Sequence, residues 1–155
     1  RQRQMCIRDS LYIAPKNYHR NNQVLFSFMK EKFELEYLLK TSLRVLDNMI
    51  GSPSGLSEWF ADNVTVRDDM YSFEWDGAIE KARLLTRKMN SKMKFKWIED
   101  EENEDDYYFE MNIDIDPMTG IASLKIVDYG YAEDIESAKM LWDQQINDLK
   151  RIIGA

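Results

Sequence analysis

The apolar residues of this chain change their period toward the C-terminus, and that change limits the folds open to it. Between Phe33 and Ile126, a short helical stretch after the first strand aside, they recur mostly at every second residue, the pattern of half-buried strands. From Ile135 to Ile153 they recur every third or fourth residue (Ile135, Ala138, Trp142, Ile146, Leu149, Ile153), the stripe of one long amphipathic helix. A series of strands followed by a single helix predicts an α+β domain, because the sheet's apolar face needs that helix as its cover.

Turn chemistry divides the strand region. Phe33, Leu35, Tyr37 and Leu39 alternate with charged residues and predict a first strand. Thr41-Ser42 can cap a short helix carrying Leu43, Leu46, Met49 and Ile50 on one side, and Gly51 ends it. Ser52-Pro53 reads as an N-cap with Pro at the first position of a second short helix, which runs to Trp59-Phe60. Strand-like runs around Val64, Tyr71–Trp75, Met93–Trp97, Tyr107–Ile115 and Ala122–Ile126 follow. Asp68-Asp69, Asp76-Gly77, Asn90-Ser91 and Asp116–Gly120 separate them as turns. Residues 79–89 fit either period. Glu133, Asp134 and Glu136 in the first turn of the final helix, and Lys150-Arg151 in its last, suit the helix dipole, and Gly154 closes it.

Composition removes chemistries. The chain has one Cys and one His, Cys6 and His19, so the 127 residues from Met29 onward contain neither. That stretch excludes disulfides, thiolate metal sites, Cys or His nucleophile systems and a Ser-His-Asp triad. It holds 16 basic and 27 acidic residues, a net of −11, against +4 in residues 1–28. Such an acidic body argues against nucleic-acid binding, which needs clustered Lys and Arg. No apolar run approaches the roughly 18 residues of a membrane span, and a cytoplasmic location is expected.

Residues 1–28 read as foreign to the domain, a leader that is non-native or disordered, so that the domain proper is 29–155. They hold Pro15, a patch of Asn17, Asn21 and Asn22, and no sustained period. The string Arg1 to Ser10 resembles adaptor sequence translated in frame, and Met29 reads as a natural start. A basic N-terminal arm that binds a partner is the other reading.

Within residues 29–155 the order β-α-α-β(n)-α resembles the START-like, or Bet v 1-like, SRPBCC superfamily. The residues that carry the likeness are Gly55-Leu56-Ser57-Glu58-Trp59-Phe60-Ala61-Asp62, Phe73-Glu74-Trp75, Phe95-Lys96-Trp97 and the closing helix from Leu141-Trp142-Asp143 to Leu149-Lys150-Arg151. The chain is similar to small bacterial members near the activator of the heat-shock chaperone's ATPase. The resemblance implies a helix-grip fold, a bent antiparallel β-sheet wrapped around the C-terminal helix with two short helices after the first strand. It makes residues 79–89 a strand, and it implies a cavity between sheet and helix that members use for apolar compounds.

The inward strand phases supply Tyr71, Phe73, Trp75, Phe95, Trp97, Phe109, Met111 and Leu124, facing Met140, Trp142 and Ile146 on the helix. Trp59 and Phe60 join them from the helical pair. An apolar concavity with a few polar tips is the usual form of a small-molecule pocket; the same set would serve equally as core. None of the inward phases clearly contains a carboxylate, so no catalytic residue, metal ligand or cofactor is expected. Lys92, Lys94 and Lys96 fall on the outward phase. Glu99–Asp106 places seven carboxylates in eight positions between two strands. It reads as a solvated hairpin loop without the Gly and spacing of a calcium loop, able at most to draw a basic partner. Asp114-Ile115-Asp116 with Thr119 lacks a phosphate loop, and Ser52-Pro53-Ser54-Gly55 lacks the Lys of one. The expected function is non-enzymatic binding of a small apolar or amphipathic ligand. The alternative is a protein-interaction module like the chaperone activators.

Overall fold

A computed structural model describes residues 29–155. The expected leader, with Cys6 and His19, lies outside the described residues. Strand β1 (Glu31–Leu39) buries Phe33 and Leu39 and half-buries Leu35 and Tyr37, the alternation read from the sequence. Helix α1 (Leu43–Gly51) starts where the Ser42 hydroxyl accepts the Val45 N–H, and it buries Leu46, Met49 and Ile50. Ser52 then serves both helices. Its backbone N–H caps α1 at Asn48, while its hydroxyl accepts the Gly55 N–H at 2.9 Å to open α2 (Pro53–Trp59).

The strands β2 (Asn63–Arg67), β3 (Met70–Trp75), β4 (Ala78–Lys88), β5 (Lys92–Trp97), β6 (Phe109–Ile115) and β7 (Ala122–Gly130) complete one antiparallel sheet in the order β1-β7-β6-β5-β4-β3-β2. β4 settles residues 79–89 as strand. From β2 on, sequential strands pair through short turns except β5 and β6, which residues 98–108 join, and Asp76 and Gly77, with φ of 49° and 82°, give the β3–β4 hairpin the left-handed pair that a two-residue turn needs. Only β1 breaks sequence order. It lies at the opposite edge from β2, so α1 and α2 carry the chain across the open end of the bent sheet.

The last helix, here α4 (Ile135–Ile153), packs against β1, β7 and α2 and buries Ala138, Trp142, Gln145, Ile146 and Leu149. Gly154, at φ 71°, ends it. The architecture is α+β, a bent seven-stranded sheet gripping this helix.

Three expectations need correction. Met140 does not face the sheet: it is 63% exposed, because it falls two residues before Trp142 and so lies well round the helix from the buried stripe. The acidic run is not a plain loop. Its start forms a helical turn, α3 (Ile98–Glu102), whose first-turn Glu99, Asp100 and Glu101 suit the dipole. Asp100 is buried there against Lys30 Nζ at 2.5 Å, with that ammonium over the Tyr107 ring. Finally, α4 begins at Ile135, leaving only Glu136 of the three expected acids inside its first turn.

Candidate functional site: the aromatic interior and its rim

All twelve candidate site residues lie in one buried cluster between sheet, α2 and α4. Phe60 is its hub. Its ring lies 5.2 Å from Phe73, 5.5 Å from Trp75, 5.6 Å from Trp59, 5.7 Å from Trp142 and 6.0 Å from Phe109. Phe109 stacks in turn on Trp97 at 4.8 Å and Phe95 at 4.9 Å, and Tyr71 meets Phe95 edge-on at 4.9 Å. Met111, Leu124 and Ile146 fill the space beside the rings. Nine of the twelve present no surface to water, the exceptions being Tyr71, Trp75 and Trp97 at 2–6%.

Polar groups enter this interior at chosen points. The Trp59 indole donates to the Met49 carbonyl at 3.0 Å, joining α2 to α1. The Trp142 indole donates to Asp128 Oδ2 at 2.9 Å. Asp128 sits on β7 opposite Phe33, on the phase of Ala122, Leu124 and Ile126, and Glu80 sits on β4 opposite Phe73. The inward phases therefore do contain carboxylates, contrary to the sequence reading. The signal at 128 was available, since the even positions of the strand continue to it. Gln145, buried on α4, was missed as well. Its Nε2 donates to the Phe60 carbonyl at 3.0 Å, which also accepts the Trp75 indole at 2.8 Å. Its Oε1 is buried and has no partner.

At the rim, one ion pair joins α1 to the β4–β5 hairpin. The Arg87 guanidinium grips Asp47 with both ends, Nη1 to Oδ1 and Nη2 to Oδ2, each at 2.8 Å. The Asn90 N–H donates to the same Oδ1 at 2.7 Å. Arg87 holds the Asp47 carboxyl below the usual carboxylate range, more than burial raises it. Beneath, burial pushes the Tyr71 phenol up and the Arg87 charge partly offsets it.

Elsewhere, the outer face of β2–β4 carries a groove of about 380 Å³ lined by Thr65, Arg67, Ser72, Lys81 and Arg83 with Asp68 and Asp69. Arg83 is already engaged by Asp69 and Glu101. The three lysines of β5 are half-buried: Lys94 lies over the Tyr108 ring and Lys92 pairs with Glu110. Among the described residues no group of three His, Cys, Asp or Glu could hold a metal ion, and no helix is long and apolar enough to cross a membrane.

A bent antiparallel sheet closed by a long C-terminal helix over an aromatic interior defines the helix-grip class. The chain belongs to the START-like superfamily, whose domain model matches residues 26–155. A Bacteroides fragilis protein solved by solution NMR is 33% identical, over 79% of this chain and 90% of that one, with a TM-score of 0.57. The Aha1 dimer from Colwellia psychrerythraea is 9% identical over 79% and 96% of the two chains, with a TM-score of 0.68. CalU16 from Micromonospora echinospora is 13% identical over 80% and 76%, with a TM-score of 0.61. The likeness to the last two is one of fold alone. No curated protein matches the chain.

Proposed function

We propose that residues 29–155 form a cytoplasmic binding domain without chemistry of its own, which takes a small apolar or amphipathic molecule between the sheet and α4. The unpartnered Oε1 of Gln145 carries this reading. A buried acceptor without a donor is uncommon in a purely structural core, and a ligand hydroxyl or amine entering beside Trp142 and Phe60 would satisfy it. Polar tips in an aromatic interior are also how small-molecule sites orient their ligands. Since the rings touch one another in this closed form, binding requires them to part. Native mass spectrometry and thermal shifts across a lipid and metabolite panel test this. A retained small molecule, or a raised Tm, is expected. A panel without a single binder would sink it.

A second reading has its own observation. The zero exposure of nine candidate residues is what a core without a ligand presents, while the acidic segment is held in place by Lys30–Asp100 and Arg83–Glu101 with Glu99, Glu102 and Glu104 exposed. That favours a protein-interaction module reading a basic partner. Such a partner should leave at high salt, and it should be lost when Glu102, Glu104 and Asp106 are changed to their amides.

A further inference from the structure

The β-bulge in β4 decides where Arg87 points. Up to Leu84 the inward residues of β4 are the even ones, with Ala82 opposite Trp97 and Leu84 opposite Phe95. The register then shifts, so that Arg87 rather than Thr86 stands opposite the buried Met93. One extra residue re-aims the side chains beyond it, and here it turns a guanidinium toward α1, where Asp47 meets it. The space it occupies is kept by a glycine, since a Cβ at Gly51 would fall on the guanidinium.

What fills the grip of that guanidinium is a carboxylate. Asp47 receives both Arg87 N–H ends and the Asn90 backbone N–H, so three donors converge on one planar anion. A forked Arg with an added backbone donor is the geometry that binds carboxylates from any source. Tyr71 lies within the field of Arg87 and begins the ring series that leads inward through Phe95 to Phe109. An apolar chain lying along those rings would bring its head to this point.

We infer that the ligand of the interior is an anionic amphiphile that enters by a mouth between α1 and the β4–β5 hairpin, where its carboxylate takes Arg87 from Asp47, its apolar body lying along the ring series. The inference rests on the ligand-binding reading above. Asp47 is then a built-in occupant, a carboxylate that closes the mouth when no ligand is present and must be displaced on entry.

Decanoate and 1-decanol share a chain and differ in the head, so their affinities for the protein separate the two claims. Wild type should bind decanoate roughly tenfold or more tightly than decanol, the scale of one charge-assisted forked bond. In Arg87→Gln that ratio should fall toward one, and in Asp47→Asn, where the competing charge is gone, it should rise. A wild-type ratio near one, a ratio that persists in Arg87→Gln, or a fall in Asp47→Asn would overturn the inference and leave the ligand reading standing. Failure of wild type to bind either compound would overturn the ligand reading, and this inference with it. Should Arg87→Gln not fold, the wild-type ratio and its change in Asp47→Asn decide.

Discussion

At the scale of single residues, Trp142 and Gln145 stand one turn apart on α4's buried stripe but should respond very differently to substitution. Trp142 exposes no surface, touches Phe60 and donates to Asp128. Replacing it with alanine leaves a cavity and should cost about 3–5 kcal/mol in urea unfolding; near-wild-type stability would mean that the helix and sheet close over the gap. Gln145→Leu removes one hydrogen bond to a carbonyl that keeps its second donor from Trp75, and it removes the orphan Oε1 at the same time. Those effects oppose, so stability should stay within about 1 kcal/mol of wild type. A loss above about 2 kcal/mol, beyond the usual worth of one neutral hydrogen bond, would show that the amide is structural and weaken its reading as a ligand contact.

At the scale of elements, the join between α1 and α2 is set by Gly55, the first residue of the Gly-Leu-Ser-Glu-Trp-Phe run. In an exposed helix, alanine is favoured over glycine by about 1 kcal/mol. Here an added Cβ would overlap the Asn48 carbonyl oxygen and come 2.8 Å from Met49 Cα, both backbone atoms that cannot step aside. Gly55→Ala should therefore lower the urea midpoint, with a net loss of about 1–2 kcal/mol once the propensity gain is subtracted. A raised midpoint would mean that α1 and α2 separate freely. The elements themselves were largely legible in the sequence, because one face of each strand and one stripe of each helix is buried. Phe33, Phe73, Phe95 and Phe109 fall on the inner face as their alternation required. What alternation cannot express was missed. The β4 bulge resets the phase within one strand, so Arg87 changes sides without any change in pattern. The turn α3 lay hidden in a charge run, since its order comes from Lys30, seventy residues away in sequence, and not from local periodicity. Asp128 and Gln145 are polar residues on apolar phases, and a two-letter pattern scores them as breaks. The burial of the twelve candidates was legible because they are largely apolar; the groups that could choose a ligand are polar, and the pattern passed over them.

At the scale of the whole molecule, the tyrosines that tie layers together make the fold sensitive to base. Tyr37 on β1 donates to Asp143 on α4 at 2.6 Å, and burial together with that carboxylate pushes its phenol far up. Burial likewise raises Tyr71 and Tyr131, and burial together with the neighbouring Tyr108 takes Tyr129 to about 12. In each case the fold prefers the neutral phenol. Below about pH 10 the phenols are protonated in both states and stability is unaffected. Above it the unfolded chain releases protons that the folded chain retains, so stability falls as pH rises toward the folded values. The urea midpoint should accordingly drop between about pH 10 and pH 12. Lysine deprotonation weakens ion pairs over the same interval, so a fall by itself would not identify its cause. Tyr37→Phe separates the two, because it removes the phenol and leaves the lysines. Its midpoint should start lower, having lost the bond to Asp143, and then decline less steeply than wild type. An equal slope would mean that Tyr37 ionises as readily in the fold as outside it, and that β1 and α4 are not held together through its proton.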